Sequence, residues 1–121
     1  MPSFGKRSQE KLQDCDPSIQ LVLQEAIKHY DFSVLEGYRT KEKQQEYFES
    51  GASEVQYPNS KHNSCPAMAV DVVPYPIDWD NLQRFKELSE VIKTACETVG
   101  VDNLHWGFDL WQWDMPHWEL R

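Results

Sequence analysis

From Ile19 to Ile27 the apolar residues Ile19, Val22, Leu23, Ala26 and Ile27 recur at spacings of three and four, which predicts a helix with one core-facing stripe. Asp16-Pro17 just before it supplies a capping acid and a proline at the first helical position. The period then shortens: Phe32-Ser33-Val34-Leu35 reads as a strand, and Gly37-Tyr38-Arg39-Thr40 turns into a second helix that Thr40 caps and Gly51 closes. A polar connection runs from Pro58 to Pro66, followed by an apolar strand from Ala69 to Val73 that a single acid, Asp71, interrupts. Leu82, Phe85, Leu88, Ile92, Ala95 and Val99 mark the stripe of a third helix, opened by Asp80-Asn81 and ended by Gly100. The Trp-rich stretch from Leu104 to Leu120 predicts strands around a loop, because Pro116 biases Met115 away from helical geometry and sets His117 at a strand start.

These elements imply an α+β class: a small single domain whose antiparallel sheet is covered by about three helices and keeps one open face for a site. Residues 1–14 are mostly polar and are expected to form a flexible tail, leaving 15–121 as the folded domain. A chain of 121 residues is the size of one domain.

Charge narrows the partners. Lys and Arg number 12 against 20 Asp and Glu, a net charge of -8, which argues against a sequence-independent grip on nucleic acid or stable association with an anionic membrane. No run of about 18 apolar residues is present and the opening residues lack the apolar stretch of a secretory signal, so the expectation is a monomer made in the cytoplasm with no export address. The cysteines Cys15, Cys65 and Cys96 are widely separated, which reads as free thiols rather than a zinc knuckle or a redox pair. Cys65, between two candidate ligands, remains a conceivable metal donor or a plain loop residue.

Asp71 carries the first chemical signal, because an isolated carboxylate in an apolar strand is costly to bury without a partner. His62 alone reads as a solvated loop residue and His117 alone as a turn residue. Together with Asp71 they form the two-imidazole, one-carboxylate set that hydrolytic zinc sites use while keeping one position open. Such a site also needs a base, for which Asp114 and Glu119 are both available; a strand from Pro116 onward puts Glu119 on the same face as His117. The same donor set defines iron oxygenase triads, but those commonly place the first His one residue from the acid, whereas His62 and Asp71 are nine apart. His29 and His105 have ordinary explanations as a helix-end cation and a partly buried polar residue. Trp106, Trp111, Trp113 and Trp118 read as core before they read as a substrate wall, and Asp109 is a candidate to support a ligand histidine from behind.

Three ordered signatures, Gly37-Tyr38-Arg39-Thr40 followed by Gln44, Ser60-x-His62 through Ala69-x-Asp71, and Asp114-x-x-His117, resemble those of the LAS-type zinc peptidases. That family comprises bacterial D-alanyl-D-alanine carboxypeptidases and dipeptidases and phage L-alanoyl-D-glutamate endopeptidases, and the resemblance runs from about Leu35 to Leu120. Two departures, an Asp rather than a Glu at position 114 and a longer Pro-containing interval between His62 and Ala69, are similar to the phage endolysin branch.

The resemblance implies zinc held by His62, Asp71 and His117, with Asp114 as general base, Arg39 clamping substrate and the oxyanion, and Ser60 and Gln44 contacting the bound peptide. It further implies a peptidoglycan hydrolase, first a phage endolysin cutting the L-alanyl-D-glutamate bond of the peptide stem. The alternatives are a D-alanyl-D-alanine carboxypeptidase or dipeptidase, and a wall-binding module that keeps zinc without catalysis. An endolysin of this type would gather in the host cytoplasm and reach the periplasmic wall after the membrane is opened.

Overall fold

The computed structural model describes residues 2–121. Helix α1 spans Lys6–Gln13 and α2 spans Pro17–Ala26; strand β1 is Phe32–Glu36 and helix α3 is Lys41–Glu49. A 3-10 turn over Lys61–Asn63 precedes β2 at Ala69–Pro74, and the long helix α4 covers Leu82–Val99. The chain ends with β3 at Leu104–Trp106, a short helix α5 at Gly107–Trp111, and β4 at His117–Leu120. The strands form one antiparallel sheet of four in the order β1-β2-β4-β3, as the α+β expectation requires.

Each predicted helix starts where its cap directs. The Asp16 carboxylate accepts from the Ser18 N–H at 2.9 Å, Thr40 Oγ1 from the Lys43 N–H at 3.2 Å, and Asn81 Oδ1 from the Arg84 N–H at 3.3 Å. Gly100, with φ 80°, closes α4 in the left-handed conformation that glycine adopts without strain.

The sheet has a dry face and a chemical face. Val70, Val72, Trp118, Leu120, Leu104 and Trp106 all join the core, against which α1, α2 and α4 are layered. A buried side chain of Val or Leu size contributes about 1.5–3 kcal/mol of hydrophobic stabilisation, so this face carries the sheet's cohesion. Alternation then turns the intervening residues Ala69, Asp71, His117 and Glu119 toward the other face.

The expected tail is instead part of the domain. Residues 6–13 are helical, and Phe4 and Leu12 are 7% and 1% exposed within the core. Ser8 is buried too, where its hydroxyl accepts the Val34 N–H at 3.0 Å and ties α1 to β1. Its inward stripe is so thin, with one apolar residue and one serine per pair of turns, that periodicity in the sequence does not reveal it. A second addition is α5, set in the stretch expected to be only strands and loop. Trp106 and Trp118 stack with centroids 6.0 Å apart in the core, while Trp111 and Trp113 are exposed.

Candidate metal centre and its pocket

Sheet register assembles the centre. Asp71 on β2 lies opposite His117 on β4, and on its other side it lies opposite Glu36 on β1, giving a row of three polar side chains across three strands. The β1–β2 pairing runs Val34↔Val72 and then skips Leu35, and this irregularity turns Glu36 rather than Leu35 to the chemical face beside Asp71.

His62 arrives from outside the sheet on the 3-10 turn. Ser60 caps that turn, its hydroxyl accepting the His62 N–H at 3.2 Å, and Asn63 Oδ1 reaches back to accept the Ser60 N–H at 3.1 Å. The turn is bolted to the Arg39 corner, where the Arg39 N–H donates to the His62 carbonyl at 2.7 Å.

The ring of His62 is 2% exposed, and its Nδ1 lies 2.7 Å from the Gly37 carbonyl. A carbonyl only accepts, so Nδ1 carries the hydrogen and Nε2 presents a lone pair. That Nε2 is 3.3 Å from Asp71 Oδ1 and is the one buried side-chain nitrogen or oxygen without a hydrogen bond among the described residues. His117 Nδ1 approaches the same Asp71 oxygen at 3.2 Å, and the two imidazole centroids are 5.2 Å apart. His62, Asp71 and His117 thus each offer a donor atom within 4.8 Å of the others. Two nitrogen donors and one carboxylate, with a buried lone pair left facing an anion, fit a divalent cation of the zinc type.

Charge at the centre follows from the same contacts. Burial alone would raise the Asp71 carboxyl, but the hydrogen bond from His117 and the closeness of the two imidazoles outweigh it and hold Asp71 well below the usual carboxylate range. Burial would lower His117, yet its contacts to Asp71 and Glu119 raise it to about 9. Without a metal, His117 is therefore an imidazolium shared between two carboxylate neighbours, Asp71 and Glu119.

Arg39 stands at the wall beside Asp71. Its Nε donates to Glu36 Oε1 at 2.6 Å, Nη1 to Gln44 Oε1 at 2.9 Å, and Nη2 is 3.8 Å from Asp71 Oδ2, with the Tyr47 ring 4.7 Å beneath the guanidinium carbon. Glu36, which sequence reasoning passed over, is what aims this side chain; the acid three residues before Arg39 was the available signal.

Gln44 is corrected from substrate contact to brace. It is 0% exposed, its oxygen faces Arg39 and Asn63, and its amide nitrogen donates to Ser53 Oγ and the Val55 carbonyl, which leaves nothing for a ligand. Asp109 likewise does not support a ligand histidine, because its carboxylate pairs with Lys93 at 2.9 Å. Cys65 is exposed and lies outside the donor cluster, and His105 is exposed.

A groove of about 580 Å³ opens over the cluster, and its lining includes Arg39, Ser60, Asp114, Trp111 and Trp113. Burial raises the Asp114 carboxyl above its ordinary value, with His117 acting in the opposite sense. Glu119, the other candidate base, is 5% exposed and committed to His117 Nε2 at 2.9 Å and Arg121 Nε at 2.9 Å. Gly107 lets α5 close over this segment, since a Cβ there would lie 2.8 Å from the Asp114 carbonyl oxygen and 3.0 Å from that of His117.

A small α+β domain with two histidines and an aspartate gathered on one sheet face, under an open groove, has the construction of a hydrolytic domain whose site could hold a metal ion. The chain belongs to the phage L-alanyl-D-glutamate peptidase family, whose model matches residues 2–119, and it is a peptidase. It is 31% identical over 111 residues to the L-alanyl-D-glutamate peptidase of Escherichia phage T5, a match that covers 88% of this chain and 80% of that one. It also superposes on the Serratia marcescens L-Ala D-Glu endopeptidase ChiX with a TM-score of 0.84 and 27% identity, over 98% of this chain and 90% of the other.

Proposed function

We propose that this peptidase is a zinc-dependent endolysin that cuts the L-alanyl-D-glutamate bond in the peptide stem of peptidoglycan. The observation that carries the metal is the buried, unpartnered Nε2 of His62 facing Asp71, and family membership supports the bond.

His62, Asp71 and His117 would hold the ion. When bound, zinc supplies the Lewis acidity that polarises a carbonyl and makes a water deprotonate near neutral pH. Asp114 takes the proton and returns it to the leaving amine, and a carboxyl raised by burial is better matched to that exchange than an ordinary aspartate. Arg39, aimed by Glu36, offers its guanidinium to the carbonyl oxygen as charge develops or to a substrate carboxylate. Ser60 lines the groove and its hydroxyl, while accepting from the His62 N–H, retains a hydrogen to donate to the bound peptide. Residues 15–121 together with α1 form the peptidase unit. The enzyme acts as a monomer, forms no stable contact with nucleic acid or membrane, and works on the periplasmic side after release from the host cytoplasm.

Mass spectrometry of purified peptidoglycan fragments digested by zinc-loaded protein, and by Asp114→Asn, tests the reading. New D-glutamyl amino ends made by wild type and lost in the variant are expected. Released D-alanine in their place would move the activity to the carboxypeptidase class, and no product from a zinc-bound protein would reduce it to wall binding.

A further inference from the structure

The two histidines of the centre turn opposite ring nitrogens toward Asp71: His62 presents Nε2 and His117 presents Nδ1. For His62 the choice is made by the Gly37 carbonyl behind Nδ1. For His117 the corresponding place behind the ring, at Nε2, is taken by Glu119 Oε1 at 2.9 Å.

Glu119 has no freedom to do otherwise. It follows His117 by two residues on β4 and therefore shares its face, and across the strand it meets Ala69, whose single methyl leaves the carboxylate room. Its second oxygen accepts from Arg121 Nε at 2.9 Å and lies 3.9 Å from Lys61 Nζ. Lys61 is itself anchored, donating to the Leu120 carbonyl at 2.6 Å. A carboxylate at 5% exposure with two cations behind it and a histidine in front is a built arrangement, not a surface ion pair.

We propose that Glu119 is a positioning residue for the metal: by accepting the Nε2 hydrogen it fixes the ring of His117 and leaves the Nδ1 lone pair directed at the point where His62 and Asp71 converge. Arg121 and Lys61 hold the carboxylate in that role. The inference rests on the reading of His62, Asp71 and His117 as a metal centre and assigns this second carboxylate to the ion rather than to proton transfer. A negatively charged acceptor also makes the imidazole a stronger donor, and partners of this kind are worth about 10–100-fold in metal affinity elsewhere.

The test compares wild type, Glu119→Gln and Glu119→Ala for zinc affinity by chelator competition and for the visible spectrum of the cobalt-substituted protein. Glu119→Gln keeps size and one acceptor oxygen but loses the charge, so about 10-fold weaker binding is expected, with up to about 100-fold for Glu119→Ala and a shifted cobalt spectrum in both. Unfolding curves of the metal-free variants identify any loss of fold, and the isosteric Gln variant carries the test if the Ala variant does not fold. Wild-type affinity in both variants overturns the proposal. So does a collapse of kcat at unchanged affinity, which would make Glu119 the proton carrier. Failure of wild type itself to bind a divalent ion would be a different result, removing the metal centre and the proposed function with it.

Discussion

His62 Nε2 lies 3.3 Å from Asp71 Oδ1 without a hydrogen bond, two acceptors facing each other inside the protein. With Nδ1 donating to Gly37, a cation in the space between them turns the contact from unfavourable to favourable. The distance is thus a statement about binding as much as about packing.

Zinc is expected to stabilise the fold, because an ion that binds only the native chain shifts unfolding by mass action, about 2.7 kcal/mol at one hundred times its Kd. Thermal unfolding with and without a chelator reads this, and His62→Ala should abolish the shift. An equal shift in that variant would place the ion elsewhere.

Metal uptake should depend on pH through His117. Its pKa in the metal-free fold is about 9, so near pH 7 the ring is charged and must release a proton to ligate. Calorimetry in buffers of different ionisation enthalpy is expected to give about one proton released per ion at pH 7 and fewer as the pH approaches 9. In the metal-free protein this raised pKa contributes stability that is complete below the unfolded value of about 6.5 and is lost as pH rises through 9. Glu119, depressed to about 2 by His117 and Arg121 against the opposing effect of burial, acts at the other end, its contribution lost as pH falls through that value.

Arg39→Lys should lower kcat/KM by about 100-fold while leaving zinc affinity unchanged, because an ammonium cannot reproduce the planar fork that Glu36 and Gln44 hold in place. Steady-state kinetics beside chelator competition separates the two. A matching loss of metal would mean that Arg39 serves the centre through Asp71.

At Gly107 the added methyl of an Ala variant would press against the Asp114 and His117 carbonyl oxygens at 2.8 and 3.0 Å. Both are backbone, so the segment that bears Asp114 must move, and activity is expected to fall at least about 10-fold for a displacement near 1 Å. Retained full activity would detach the position of Asp114 from catalysis.

Leu12→Ala tests whether α1 belongs to the fold. Leu12 is 1% exposed in the core, so the truncation should cost about 2–5 kcal/mol in denaturant unfolding. A negligible change would return residues 2–13 to the status of a tail.

Much of the secondary structure was legible because it is written locally. The stripe from Ile19 to Ile27, the caps Asp16 and Thr40 and the closing Gly100 each act within a turn or two, and each element formed where they point. Helix α1 escaped because its helix carries only Leu12 as a buried apolar residue and borrows its order from β1. Gln44 was misplaced for a related reason: an amide on a polar helix looks exposed until Arg39, Ser53 and Val55 are seen closing around it.

The chain alone determined the chemistry on offer: two imidazoles, an acid inside an apolar strand, an arginine at a strand-to-helix corner and two spare carboxylates near the last histidine. Tertiary structure decided which of these meet and in what role. The skipped residue at Leu35 brings Glu36 beside Asp71, and strand pairing sets Asp71 against His117 and Glu119 against Ala69. Burial then distinguishes Glu119, enclosed by His117 and Arg121, from Asp114 at the groove. Side-chain type and local period are properties of neighbouring residues, whereas register and burial arise from contacts between segments far apart along the chain.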